Sequence, residues 1–127
     1  MPVDPRHLNA TSERIIGAAF TVANTLGPGF QEKVYENALA HELGEAGLPA
    51  GQRHGIAVRY DNIVVGAFAA DLLVDSTVLV ELKAARALDT SHTAQCLNYL
   101  TATGLPLCLL LNFGARRMET KRLLNRT

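Results

Sequence analysis

Residues 70–84 read ADLLVDSTVLVELKA, two apolar runs on either side of Asp75-Ser76. Aliphatic and β-branched residues at this density, broken by a pair that favours tight turns, predict a β-hairpin rather than a helix. In the second arm, a strand over Thr77 to Ala84, side chains alternate between faces. Val78, Val80 and Leu82 therefore share one face, and Leu79, Glu81 and Lys83 the other. Such apolar neighbours place the strand centrally in a sheet, where two charges need a reason. Asp71 joins them in one register only. If Asp75 lies opposite Thr77, with a connection centred on Ser76, Asp71 falls opposite Glu81; a one-residue slip sends it to the other face. Carboxylates held side by side repel. A divalent cation relieves that repulsion, since Mg²⁺ prefers a few carboxylate oxygens and completes its octahedron with water and phosphate oxygens. Lys83 would then orient or deprotonate the attacking water and stabilise charge growing on phosphorus. The bland alternative for Glu81 and Lys83 is a solvated Glu-x-Lys pair on an edge strand.

Upstream, His54 to Tyr60 and Ile63 to Val74 read as two strands around a turn at Asp61-Asn62. Before them, apolar residues at helical spacing predict two helices. Leu8, Ile15, Ile16, Ala19, Val22, Ala23 and Leu26 form the stripe of the first, with Thr11 or Ser12 as cap for a later start. Gly27-Pro28-Gly29 ends it, because proline lacks an amide donor and glycine accepts positive φ. That stretch is not a phosphate loop, since the Lys-Ser or Lys-Thr ending is missing. The second helix covers 30–47, with Val34, Ala38, Leu39, Leu43 and Ala46 on its apolar face, and Pro49 and Gly51 close it. Downstream, Asp89-Thr90-Ser91 caps a helix over 91–103 seated through Ala94, Leu97 and Leu100, and Gly104-Leu105-Pro106 stops it. Leu107 to Phe113 reads as a strand buried on both faces, and 117–124 as a short edge strand or helical tail. No repeat or linker interrupts this order. It predicts one α/β domain over 1–127, a mixed β-sheet flanked by α-helices.

A chain of 127 residues that is 48% hydrophobic can bury a real core. Lysine plus arginine total 12 and aspartate plus glutamate total 12, so nucleic-acid affinity must come from local basic surface. Candidate phosphate contacts are Lys33, Arg53, Arg59, Arg86, Lys121 and the Arg116-Arg117 pair, all with solvated positions as their plainer reading. The longest apolar run, Leu105 to Leu111, is too short for a bilayer, and the polar start from Met1 to Arg14 does not resemble a signal peptide. A cytoplasmic protein outside the membrane is the expectation. Cys96 and Cys108 lack CxxC spacing and read as reduced thiols. His7, His41, His54 and His92 form no metal-ligand pattern; His41 and Glu45 read as a surface pair.

Asp71 followed by Glu81-Leu82-Lys83 after a short hairpin resembles the motif of the PD-(D/E)XK nuclease superfamily. Ala70 stands where the motif's name has proline. Residues 29–35, GFQEKVY, read G-x-x-E-x-x-Y, the signature of the GxxExxY protein family, and residues 95–99, QCLNY, are similar to the Q-x-x-x-Y helix motif of RecB-type nucleases. The resemblance covers 12 to about 124. It implies a restriction-endonuclease-like core in which Glu32, Asp71 and Glu81 ligate Mg²⁺ or Mn²⁺ and Lys83 is the catalytic lysine. Gln95 and Tyr99, one turn apart, would support the site or touch the phosphate backbone; Tyr35 would brace Glu32. By themselves Glu32 and Tyr35 also read as ordinary first-turn residues, with the glutamate favoured by the helix dipole.

The function expected is metal-dependent hydrolysis of phosphodiester bonds, in DNA rather than RNA because most of the superfamily works on DNA. A homodimer or a protein partner is expected to supply recognition surface. Two other readings use the same residues. A nuclease-fold binding module without turnover is suggested by the neutral net charge and the few aromatics available for stacking. A Holliday-junction-resolvase-like enzyme would need two such sites in a symmetric dimer.

Overall fold

The computed structural model describes residues 3–126. Its elements run α1 (Pro5–Leu26), α2 (Glu32–Glu45), β1 (Ala50–Tyr60), β2 (Ile63–Val74), β3 (Val78–Lys83), α3 (Thr90–Thr103), β4 (Leu107–Asn112) and β5 (Glu119–Leu124). The strands form one sheet in the order β1-β2-β3-β4-β5, which puts β3 at its centre. β3 and β4 run parallel across the α3 crossover, and the other pairs are antiparallel. This is the mixed sheet expected. Val78, Val80 and Leu82 face α1 and α2, while Leu79, Cys108 and Leu110 face α3. Every residue of β4 is buried, and β5 is an edge strand.

Both hairpins turn on residues that tolerate left-handed backbone. Asp61 and Asn62 have φ of 50° and 62°, Asp75 and Ser76 of 54° and 56°. Positive φ at both central positions is the type I′ turn, whose twist matches that of the flanking strands. After the second turn Val74 lies opposite Val78 and Leu73 opposite Leu79, the register centred on Ser76.

Four local expectations need correction. α1 begins at Pro5, six residues before Thr11, because Asp4 caps the amide of Arg6 at 2.9 Å and Pro5 supplies a preset φ at the first helical position. Thr11 and Ser12 are buried inside that helix. β1 starts at Ala50, opposite Val74, four residues before His54. α3 is seated by Cys96, Tyr99 and Leu100, leaving Ala94 and Leu97 exposed, since its weakly amphipathic sequence offers two competing faces.

Tyr35 is the fourth. It is fully buried, and its hydroxyl is bonded to the backbone of Gly27 and Phe30 rather than to Glu32. Its hydroxyl donates to the Gly27 carbonyl at 2.6 Å and accepts from the Phe30 amide at 3.1 Å, and its ring stacks on Phe113 at 4.7 Å. The tyrosine therefore fixes the turn between α1 and α2, and through it the start of α2. Tyr35→Phe keeps the stacking and strands both backbone groups. A loss of about 1–3 kcal/mol is expected, read as a lower denaturation midpoint at unchanged slope.

No helix among the described residues is long and apolar enough to cross a membrane.

Candidate active site

The β2–β3 ladder ends at Leu72 opposite Val80. One step further, side chains take over from backbone. The Asp71 amide donates to Glu81 Oε1 at 3.0 Å, and the Leu82 amide donates to Asp71 Oδ2 at 2.8 Å. This reciprocal clasp commits one oxygen of each carboxylate to the backbone and leaves the other for a ligand. On the opposite flank of Asp71, β1 also departs from regular geometry. His54 pairs with Ala70 and Gln52 with Leu72, while Arg53 between them has φ of 55°. A non-glycine residue there is strained and must be held by its surroundings, a condition common beside functional groups. Asp71 thus sits in an interruption of the sheet.

Charge in this interruption is poorly compensated. Glu81 is 4% exposed. Burial, followed by the neighbouring Asp71 carboxylate, pushes its carboxyl up to about 8. Asp71 is raised as well, by burial first, with Glu36 and Glu32 adding to the repulsion and the Leu82 amide and Lys83 opposing it. The Tyr99 hydroxyl is held above its ordinary range by burial and by Glu81. Groups displaced this way by burial and a specific charged neighbour mark a candidate functional site.

Lys83 donates to Gln95 Oε1 at 3.0 Å, and Gln95 Nε2 donates to the Tyr99 hydroxyl oxygen at 3.2 Å. Lysine, glutamine and tyrosine thus form one chain across β3 and α3, which the motif alone left open. Glu32 stands exposed in the first turn of α2. It is felt electrostatically at Asp71 and Glu81, yet no three His, Cys, Asp or Glu side chains among the described residues converge closely enough to hold an ion. The fold itself brings together the pair Asp71 and Glu81, with Lys83 beside them.

Three residues of this neighbourhood were not singled out in the sequence. Glu36, four residues after Glu32 and so on the same helix face, is buried and accepts from Lys33 Nζ at 2.8 Å and Gln52 Nε2 at 2.7 Å. Its spacing was the available signal. Asn112, opposite Lys83 on β4, is fully buried and grips the loop after Lys83: Nδ2 donates to Ala85 O at 2.9 Å and to Glu119 at 2.8 Å, and Oδ1 accepts from Ala85 N at 3.0 Å. Glu119 also accepts from the Leu88 amide at 3.2 Å. A polar residue ending the Leu107–Leu111 run was the hint. His92 closes the Asp89 capping box of α3, and His41 and Glu45 are an exposed pair. Cys96 and Cys108 are free and buried side by side, and the Cys108 thiol is raised by a thiol–thiol hydrogen bond with Cys96 and by burial.

The family model of the PD-(D/E)XK nuclease superfamily matches residues 9–123. No protein of curated function matches the chain. Among solved structures, SSO0001 is similar over 76% of this chain, with a TM-score of 0.56 and 14% identity, and the chain spans 51% of that protein. The alkaline exonuclease LHK-Exo from Laribacter hongkongensis is similar over 98% of the chain and 72% of its own length, with a TM-score of 0.55 and 16% identity. These likenesses show a shared fold. Because the family match runs from within α1 to within β5 and includes the Asp71, Glu81 and Lys83 positions, the protein belongs to the PD-(D/E)XK nuclease superfamily.

Proposed function

We propose that the protein is a Mg²⁺- or Mn²⁺-dependent phosphodiesterase acting on DNA, within the GxxExxY branch that Gly29, Glu32 and Tyr35 suggest. One observation carries this reading: the Asp71–Glu81 clasp, two carboxylates fixed by backbone amides and short of compensating charge, with Lys83 alongside. The donor set fits a small hard cation, which takes one or two carboxylates and fills its remaining positions with water and phosphate oxygens. Asp71 and Glu81 would hold it, with Glu32 reaching it through water. A divalent ion there supplies charge for the phosphate oxygens and makes water a better nucleophile.

The chain's own groups supply the rest. The clasp fixes both carboxylates before substrate arrives, so no side-chain ordering is left for the binding step. Gln95 holds the Lys83 ammonium in place, where it meets negative charge building on the phosphoryl oxygens and orients the water. Tyr99, accepting from Gln95, keeps its own proton to donate to a phosphate oxygen. Gln95→Leu removes the link without opening a large cavity. Cleavage is expected to fall roughly ten- to hundredfold, with stability changed by less than about 1 kcal/mol; a variant with wild-type turnover would take Gln95 out of the mechanism.

The decisive experiment pairs calorimetric titration of Mn²⁺ with a cleavage screen on single-stranded, duplex and four-way-junction DNA. Wild type is expected to bind Mn²⁺ and cut only when the ion is present, and an Asp71→Asn, Glu81→Gln double variant to do neither. Turnover by the double variant, or no binding and no cutting by wild type, would overturn the proposal. Matched pairs of cuts on the junction would make the enzyme a resolving dimer.

A further inference from the structure

The exposed side of α3 and the β1–β2 hairpin bound a groove of about 770 Å³, well within the range of ligand sites. Phe68 forms one wall. It stands on β2 opposite Ile56, on the face turned towards α3, with its ring 6.0 Å from that of Tyr99 at a 43° tilt. Yet it remains 52% exposed. Gly66, two residues earlier, leaves the ring space, since a Cβ there would come within 3.4 Å of it. The other walls carry Arg59, Gln95 and Asn98, and no carboxylate among the described residues lines the groove. Gln95 and Tyr99 belong both to this lining and to the hydrogen-bonded chain that ends on Lys83. The groove therefore runs up to the candidate active site.

We propose that this groove holds an unpaired DNA strand on its way to the Asp71–Glu81–Lys83 site, with a base lying on Phe68. The inference rests on the phosphodiesterase reading and adds the form of its substrate. An exposed ring, a guanidinium and two amides are what a nucleotide asks of a surface: a flat apolar platform for the base, a cation for the phosphate and adaptable hydrogen bonds for the base edge. A lining without carboxylates among the described residues spares the phosphate path their repulsion. Inside a duplex the base faces are covered by their neighbours, so only an unpaired or terminal base can use the Phe68 ring.

The sequence contains no tryptophan, which supplies the test. Phe68→Trp places the chain's single tryptophan at the platform, where it can be excited apart from the tyrosines. Without divalent ions, oligothymidylate is expected to quench its emission at roughly ten- to hundredfold lower concentration than an abasic strand of equal length or a blunt hairpin duplex. Phe68→Ala should weaken binding of labelled oligothymidylate by a similar factor while leaving the Mn²⁺ titration as in wild type. Emission indifferent to the bases, together with unweakened binding by Phe68→Ala, would overturn the groove; retained Mn²⁺ binding and cleavage would then leave the nuclease reading standing. Base-dependent quenching in a protein that neither binds Mn²⁺ nor cuts any substrate would support the groove and overturn the nuclease reading instead.

Discussion

Glu81→Gln is expected to abolish metal-dependent cleavage, by about 10³-fold or more, and to make the metal-free protein more stable at neutral pH. The two effects share one cause. Burial and Asp71 hold the Glu81 carboxyl at about 8 against an ordinary 4.5, so the folded chain keeps a proton that the unfolded chain gives up. Where the folded state binds more protons, stability falls as pH rises. The contribution of this group is thus fully present below about 4.5, is lost progressively, and is gone once pH passes about 8. Its span is on the order of 3–5 kcal/mol. Asp71 acts with the same sign. Glutamine keeps the shape and the acceptor for the Asp71 amide without the charge. Melting in chelator from pH 5 to pH 8.5 should therefore show a falling midpoint for wild type and a flatter one for the variant. Mn²⁺ should restore the wild type alone, and increasingly at higher pH, because the ligand carboxylates must be deprotonated to bind it. Equal midpoints for the two proteins across that range would mean that Glu81 carries no such burden.

This coupling of instability to chemistry explains why the fold was readable in the sequence and the site only partly so. Strand alternation and paired turn residues are local, so both hairpins are legible from 61–62 and 75–76, while the register centred on Ser76 is one of two the sequence allows and is settled by the fold. In that register Asp71 lies beside Glu81. What local pattern does not contain is where a ladder stops. Substitution of the 71–81 backbone pair by a side-chain clasp, and the irregular Arg53 opposite Asp71, depend on three strands meeting, and no single strand encodes them. The helices show the same division. α1 has a strong apolar stripe that places it, its cap excepted, whereas α3 mixes small and polar residues, so that of its expected contacts Leu100 is buried and Ala94 and Leu97 are exposed. Tyr35 was read through a motif as the partner of Glu32, yet a buried hydroxyl takes whatever backbone groups are unsatisfied nearby, here those of Gly27 and Phe30.

Gly114→Ala should damage both fold and site, although Gly114 is no part of the proposed chemistry. A Cβ on it would lie 2.5 Å from Ala84 C and Ala85 N and 2.6 Å from Ala85 O, all backbone, with no flexible side chain to yield. The crowded Ala84–Ala85 peptide lies one residue beyond Lys83 and is gripped by Asn112, which also accepts from the Gly114 amide at 3.1 Å. The loop cannot retreat without breaking that grip. Overpacking against fixed backbone is expected to cost about 2–4 kcal/mol. A displacement of Lys83 by about 1 Å would lower cleavage roughly a hundredfold. Gly17 provides the control, because a Cβ there meets nothing within 4 Å and the residue lies inside α1. Gly17→Ala should therefore raise stability by about 0.5–1 kcal/mol and leave cleavage unchanged. Opposite signs from the same one-carbon addition would locate the effect in the contact behind Lys83. A Gly114→Ala protein that melts and cleaves like wild type would show that the loop after β3 can move without disturbing the lysine.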